Sequence, residues 1–166
     1  MQTRLKLKDG SWGMVVGIQL TKRKYCQPDA NGQNVGLLNY AYYAGQWSAL
    51  PDFTKLTPSR RGQVKSLDLK IASANKDYGL VFDGVLNVET KGIYTFCLAS
   101  DDGSRLTIGG STLVNDGIHG PKPDVNLTLP LEVGKYHTHL EYFQNAGGQA
   151  LRLDWQAPGI SRRPVF

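Results

Sequence analysis

Apolar and polar residues alternate with a period of two along much of this chain, most clearly from Ile93 to Ser100. Tyr94, Phe96 and Leu98 fall on one side and Thr95, Cys97 and Ala99 on the other, which predicts a half-buried strand. Asp101, Asp102 and Gly103 then break the pattern, because adjacent acids and a glycine suit a turn better than a pleat. Leu106 and Ile108 resume it before Gly109 and Gly110 turn the chain again. Residues 92–110 are therefore predicted to be a strand, an acidic turn and a second strand, with a carboxylate pair at the mouth of the hairpin.

The rest of the chain reads in the same way. Residues 3–22 form a predicted hairpin, with Leu5 and Leu7 alternating against basic residues and Asp9-Gly10 as the turn. Residues 25–35, YCQPDANGQNV, shift to the composition of a linker. Strands are predicted over 36–44, 64–71, 77–89, 112–114 and 125–131, with Gly79 and Gly84 marking bends. Residues 47–57 have no clean period and read as loop with a short turn. Residues 134–143 alternate strictly, and 150–155 are predicted to pair back on them across the Asn145-Ala146-Gly147-Gly148 turn. The two long hairpins open alike, on Gly92-Ile93-Tyr94 and on Gly134-Lys135-Tyr136. No amphipathic helix of useful length appears. The expected fold is all-β, an antiparallel sandwich or barrel of about ten strands.

Composition narrows the picture. At 166 residues with 19 glycines, the chain fits one domain whose core is large enough to stand without staples. The net charge of +5 is concentrated at Lys22-Arg23-Lys24, Arg60-Arg61 and Arg162-Arg163. No aromatic-rich binding motif accompanies these clusters, so they read as solvated loop charge and no nucleic-acid partner is expected. No stretch approaches the roughly 20 apolar residues of a bilayer-spanning helix, so membrane insertion is not expected. The first residues carry charge but no apolar core of a secretory leader. Cys26 and Cys97 would pair in an oxidising compartment, though two packed thiols account for the same count.

Three constellations carry possible chemistry. Asp101 and Asp102 offer hard oxygen donors of the kind Ca²⁺ takes in sets of about six to eight. Neighbours on an ordinary strand point opposite ways, so both reach one ion only through a turn or an unusual peptide; an Asx-turn explains the same letters. His137, His139 and Glu141 project from one face at a spacing that suits zinc, and the polar face of a half-buried strand has the same composition. His119 lies in the NDGIHG loop near Asp116 without any nucleophile motif, and is assigned to ordering that loop. Glycoside hydrolysis needs two carboxylates flanking a sugar, about 5–9.5 Å apart, and sequence neighbours on one turn serve that poorly. Trp47, Trp155, Tyr40, Tyr42 and Tyr43 would stack on sugars where exposed, although most are expected in the core.

The motifs GIYTFCLASDDGSRL, VNDGIHG, LEVGKYHTHLEYFQNAGG and ALRLDWQAPG, in this order, resemble the PA-14 domain. The resemblance covers roughly residues 36–166. It implies a β-sandwich used as an accessory module on glycosidases, adhesins and toxins. In the fungal adhesins of that family, two adjacent aspartates bind calcium, which holds sugar hydroxyls. Those aspartates match Asp101 and Asp102, and the asparagine of the second carbohydrate loop best matches Asn145. Gly103-Ser104-Arg105 after the acids, and the lack of a long insertion, depart from the adhesins. The N-terminal LKLKDGSWGMVVGIQLTK followed by GLLNYAYYAGQWSALPDF is similar to a junction in bacterial family-twenty glycoside hydrolases of the β-N-acetylhexosaminidase type. There a small chitobiase C-terminal-type β-sandwich precedes a PA-14 domain, and residues 1–24 would be its last hairpin.

The division that follows is 1–24 as hairpin remnant, 25–35 as linker and 36–166 as the main domain. The expected function is a non-catalytic carbohydrate-binding accessory module of a bacterial glycoside hydrolase. Asp101, Asp102, Asn145 and His119 would meet the sugar, and Asp101, Asp102 and Asn145 would hold Ca²⁺. The alternative is a structural module that positions the catalytic domain of the same parent chain. The resemblance places either one outside the cytoplasm, in the periplasm or at the cell surface.

Overall fold

The computed structural model describes residues 2–3, 8–11, 16–17, 24–31 and 35–166. Two short strands, β1 (Gln2–Thr3) and β2 (Val16–Gly17), pair antiparallel, Gln2 with Gly17 and Thr3 with Val16. The remainder of the hairpin predicted over 3–22 lies largely outside the described residues. The main body contains β3 (Leu38–Ala44), β4 (Arg60–Val64), β5 (Tyr78–Val88), β6 (Gly92–Asp101) and β7 (Ser104–Ile108). It continues with β8 (Ser111–Asn115), β9 (Val125–Leu131), β10 (Gly134–Gln144), β11 (Ala150–Ala157) and β12 (Ile160–Pro164). These form a six-stranded sheet, β4-β3-β5-β10-β7-β8, and a four-stranded sheet, β12-β11-β6-β9. Every pairing between these strands is antiparallel. The fold is thus an all-β sandwich.

The alternation read from sequence sets the core. Leu80, Phe82, Leu86, Leu106 and Leu140 face inward from the larger sheet, and Tyr94, Phe96, Leu98, Leu153 and Trp155 from the smaller. A second cluster, Ala41, Tyr43, Phe53 and Val81 with Trp47 and Leu50 against it, covers part of the outer face of the larger sheet. The Gly-x-Tyr openings do the same job twice. Tyr94 OH donates to the Thr90 carbonyl at 2.7 Å and Tyr136 OH to the Glu132 carbonyl at 3.0 Å, each fastening the turn four residues behind it.

Two expectations are corrected. The strands either side of the acidic turn are not a hairpin: β6 belongs to the four-stranded sheet and β7 to the six-stranded one. Likewise β11 does not pair back on β10 but lies beside β6, with Ala150 opposite Asp101. Both connections are arches that cross from layer to layer. The reason is burial, since each strand keeps one apolar face, and an arch turns both of those faces into the same core. Because β6 pairs with β11 and β7 with β10, the two arches stand side by side at one end of the sandwich.

Smaller differences follow from polar residues. The segment predicted as a strand over 64–71 ends its strand at Val64. Asp68 then caps a 3₁₀ turn, Leu69–Ala72, by accepting from the Lys70 N–H at 2.9 Å. Strand β4, RRGQV, has no alternation to read, and its Gly62 leaves room for the Tyr40 ring, which would lie 2.7 Å from an added Cβ. Residues 24–31, composed like a linker, are fastened to the turn between β9 and β10. Cys26 N–H donates to the Pro130 carbonyl at 2.8 Å, and the Asp29 and Ala30 N–H groups donate to the Lys135 carbonyl at 3.1 Å.

Candidate functional site

The acidic turn joins β6 to β7, and its two aspartates are nearly inaccessible, with Asp101 5% and Asp102 1% exposed. The peptide bond between them is cis. Neither carboxylate bonds within its own turn, so the Asx-turn reading does not describe them. Asp102 Oδ1 accepts from the His119 backbone N–H at 2.9 Å and Oδ2 from the Asn145 backbone N–H at 2.8 Å. One side chain therefore ties together the loop after β8 and the loop after β10. Asp101 differs: among the described residues its carboxylate has no hydrogen-bond partner. Burial pushes its pKa up, the neighbouring Asp102 charge adds to that, and His119 opposes it.

The turn is held from below. Ser100 Oγ and Ser104 Oγ lie 2.7 Å apart across it, and Asn115 Nδ2 donates to Ser100 Oγ at 3.0 Å. Gly103 has no space for a side chain; a Cβ there would lie 2.4 Å from Phe143 Cε1 and 3.0 Å from Asp116 Oδ1. The Tyr142 hydroxyl contacts both the Asp101 carbonyl at 2.5 Å and Gln144 Oε1 at 2.6 Å. Gln144 Nε2 in turn donates to the Gly148 carbonyl at 2.7 Å. Burial raises the Tyr142 pKa well beyond the ordinary phenol range, with Tyr78 and the two aspartates adding to it, so the hydroxyl stays neutral.

Three loops converge on this end. Asn145 Nδ2 donates to the Trp47 carbonyl at 3.0 Å, and Asp116 Oδ1 accepts from the Leu50 N–H at 2.8 Å, which brings residues 47–50 alongside the other two. His119 Nδ1 lies 2.9 Å from the Gly120 carbonyl and donates to it. Nε2 is buried without a partner among the described residues. Asp101, Asp102, Asn145 and His119 are therefore brought to one place. Sequence reading had no signal for Tyr142, Gln144 and Gly148 as supports, because their role depends on the two arches standing together.

The donors are compatible with calcium in type. Asp101 offers an unpartnered carboxylate, and Asn145 keeps its Oδ1 because its amide nitrogen is the atom bonded to Trp47. Both oxygens of Asp102 retain a further lone pair beyond the N–H groups they accept. No three His, Cys, Asp or Glu side chains among the described residues converge as a metal group, so an ion at this turn would need oxygens from Asn145 and the loop carbonyls beside the two aspartates.

The His137, His139 and Glu141 face is a charge ladder. His139 Nδ1 is 2.6 Å from Asp83 Oδ1 on β5 and Nε2 is 3.4 Å from Glu141 Oε1, while Glu141 also pairs with Arg105 on β7. His137 is exposed and outside this chain of contacts. Both cysteines are free thiols. Of the aromatic candidates, Tyr43 and Trp155 are buried, and Tyr40 and Tyr42 pack on the core. Trp47, half-buried against Phe53, is the one beside the acidic turn.

The family model described as PA14 domain matches residues 33–165. Comparison with curated proteins gives no match. Among solved structures, an anti-sigma factor domain-containing protein from Clostridium clariflavum is 18% identical with a TM-score of 0.60, covering 95% of this chain and 55% of its own. A PA14 sugar-binding domain from an RTX adhesin is 20% identical with a TM-score of 0.54, covering 78% of this chain and 94% of its own. A β-glucosidase from Kluyveromyces marxianus is 15% identical with a TM-score of 0.54, covering 72% of this chain and 16% of its own. The chain spans 45% and 55% of the two anti-sigma factor domain-containing proteins it matches. At these identities the likeness is one of fold.

Proposed function

This chain belongs to the PA14 domain family, and we propose that it is a non-catalytic carbohydrate-binding module that takes its sugar at the acidic turn. The observation that carries this reading is the Asp101 carboxylate, 5% exposed and without a hydrogen-bond partner among the described residues. Its oxygens are not sealed off, so the carboxylate is reachable from solvent while its residue is held rigidly in the fold, and the site favours an occupant that brings positive charge or hydroxyl donors. Asp101, Asp102 and Asn145 would hold Ca²⁺. Bound there, the ion would neutralise the acids and offer open positions to sugar hydroxyls. Asp102 holds the two flanking loops by their backbone N–H groups, and the unpartnered His119 Nε2 is the nitrogen left to hydrogen-bond a sugar hydroxyl.

The reading is non-catalytic because Asp101 and Asp102 share one turn and cannot flank a sugar ring from opposite sides. The parent is proposed to be a bacterial glycoside hydrolase, of the family-twenty β-N-acetylhexosaminidase type on the N-terminal motifs, with residues 1–24 left from a preceding β-sandwich. The likeness to a sugar-binding adhesin domain supports sugar binding, and the likeness to a β-glucosidase supports a role beside a catalytic domain. An extracytoplasmic location goes with that role. No helix of the described residues is long and apolar enough to cross a membrane. One observation favours a second reading, a spacer that positions the catalytic domain: residues 24–31 are fastened to the sandwich rather than loose.

Calorimetric titration with calcium, followed by a glycan array with and without the ion, tests the proposal. The expected result is a saturable heat that Asp101→Asn abolishes, and array signals that depend on the ion. No heat and no array signal from a folded wild-type domain would leave the spacer as the function.

A further inference from the structure

A cleft of about 400 Å³ opens at the other end of the sandwich, lined by Glu89, Tyr94, Trp155, Pro158, Ile160 and Arg163 among others. Tyr94 and Asp101 both lie on β6, seven residues apart, which places the cleft roughly 20 Å from the acidic turn. Its volume falls in the range of about 300–1,000 Å³ typical of small-ligand sites.

The lining is unusual in what it leaves unpaired. Trp155 is 6% exposed, and its indole Nε1–H has no hydrogen-bond partner among the described residues. Its ring stacks on Tyr94 with centroids 5.3 Å apart, and the Arg163 guanidinium lies 5.9 Å over it. Arg163 and Glu89 line the same cleft as exposed side chains without an ion pair among the described residues, and Glu89 Oε1 accepts from Asn87 Nδ2 at 3.5 Å. Buried donors in native structures normally find partners, and the Trp155 indole N–H is the exception here.

We infer that this cleft is a second saccharide site, independent of the acidic turn and selective for a single pyranose unit. A pyranose offers hydroxyls that donate to the Glu89 carboxylate and accept from the Arg163 guanidinium, which no single-sign ion can do. Its C–H surfaces meet Pro158 and Ile160 above the buried Tyr94–Trp155 pair, and displacement of Arg163 from over the Trp155 ring would give the indole N–H a sugar oxygen as acceptor. A zwitterionic amino acid would meet Glu89 and Arg163 through charge alone, and is the competing occupant.

The Trp155 indole resonance in ¹⁵N-edited spectra of the whole chain reads the site directly. The probes are the methyl glycosides of glucose, galactose, mannose and N-acetylglucosamine, with leucine as the zwitterion. At least one glycoside is expected to move the indole resonance in a saturable way. Arg163→Ala and Glu89→Gln, with their other amide resonances unchanged, should each weaken that response about tenfold, and Asp101→Asn should leave it intact. The inference is overturned if no glycoside moves Trp155, if leucine alone does, or if the response survives both cleft variants. Loss of the response in Asp101→Asn would also overturn it, by making the two ends one site. Failure of calcium binding at the acidic turn would leave this result untouched.

Discussion

The backbone N–H of Asn145 donates to Asp102 Oδ2 at 2.8 Å, joining two arches that are 43 residues apart in the chain. The His119 N–H occupies the other oxygen of the same carboxylate. Charge-assisted bonds of this kind contribute about 1.5–3 kcal/mol each. Asp102→Ala is therefore expected to lower stability by about 3 kcal/mol in urea denaturation, and Asp102→Asn by less because one acceptor remains. The His119 and Asn145 amides should lose hydrogen-exchange protection in the alanine variant. Unchanged protection there would show that the loops hold themselves.

Asp101 predicts the opposite sign. Its folded-state pKa is raised above the ordinary 3.8 by burial and by Asp102. The folded protein then binds that proton more tightly than the unfolded chain, so stability falls as pH rises from about 3.8 through the raised value. Without divalent ions, Asp101→Asn should match the wild type at pH 3 and exceed it in thermal stability at pH 7. Adding calcium should raise the wild type and not the variant. A variant less stable than the wild type at pH 7 in chelator would contradict this.

His139 has the same sign as Asp101, for a different reason. Hydrogen bonds to Asp83 and Glu141 lift its pKa from 6.5 to about 9, against the effect of burial. Burial pushes Glu141 up, but His139 and Arg105 outweigh that and hold it below the ordinary carboxylate value. The stability from the raised histidine is complete below about 6.5 and is lost as pH rises through about 9. NMR titration of the His139 ring should find a midpoint near 9 that falls in Asp83→Asn. His139→Asn should flatten the stability profile between those two pH values, and a slope unchanged by the substitution would assign it elsewhere.

Gly103→Ala tests the packing under the acidic turn. The added methyl would meet Phe143 at 2.4 Å and Asp116 Oδ1 at 3.0 Å, and the first contact is with a ring that is itself fully buried. Overpacking of this kind costs about 1–3 kcal/mol. A melting temperature that does not change would mean the turn has slack that these distances deny.

Alternation along Tyr94, Phe96 and Leu98, or Tyr136, Leu140 and Tyr142, made the long strands legible, since each strand buries one face. The same letters say nothing about where the next strand lies. A hairpin and an arch place Leu106 and Ile108 equally well into a core, and only the sheet partners separate them, which is why β6–β7 and β10–β11 read as hairpins. The edge strands β4 and β12, RRGQV and ISRRP, were hidden because neither face needs burying. At the site, the acidic pair was readable from turn chemistry, and the family motifs pointed to Asn145. The hold of Tyr142 and Gln144 on Gly148 was not, since it exists only once the two arches stand together.

Residues 24–31 attach at the Gly92 end of β6, where Leu131 of β9 pairs with Gly92, while Asp101 lies at the far end of that strand. Nine steps of extended chain separate those ends by about 30 Å. In mechanical terms the sandwich is a boom: a load applied through residue 24 is borne by the bonds to Pro130 and Lys135, and the acidic turn rides at the tip. A pull from that side would load the attachment before it reached the Asp102 clamp.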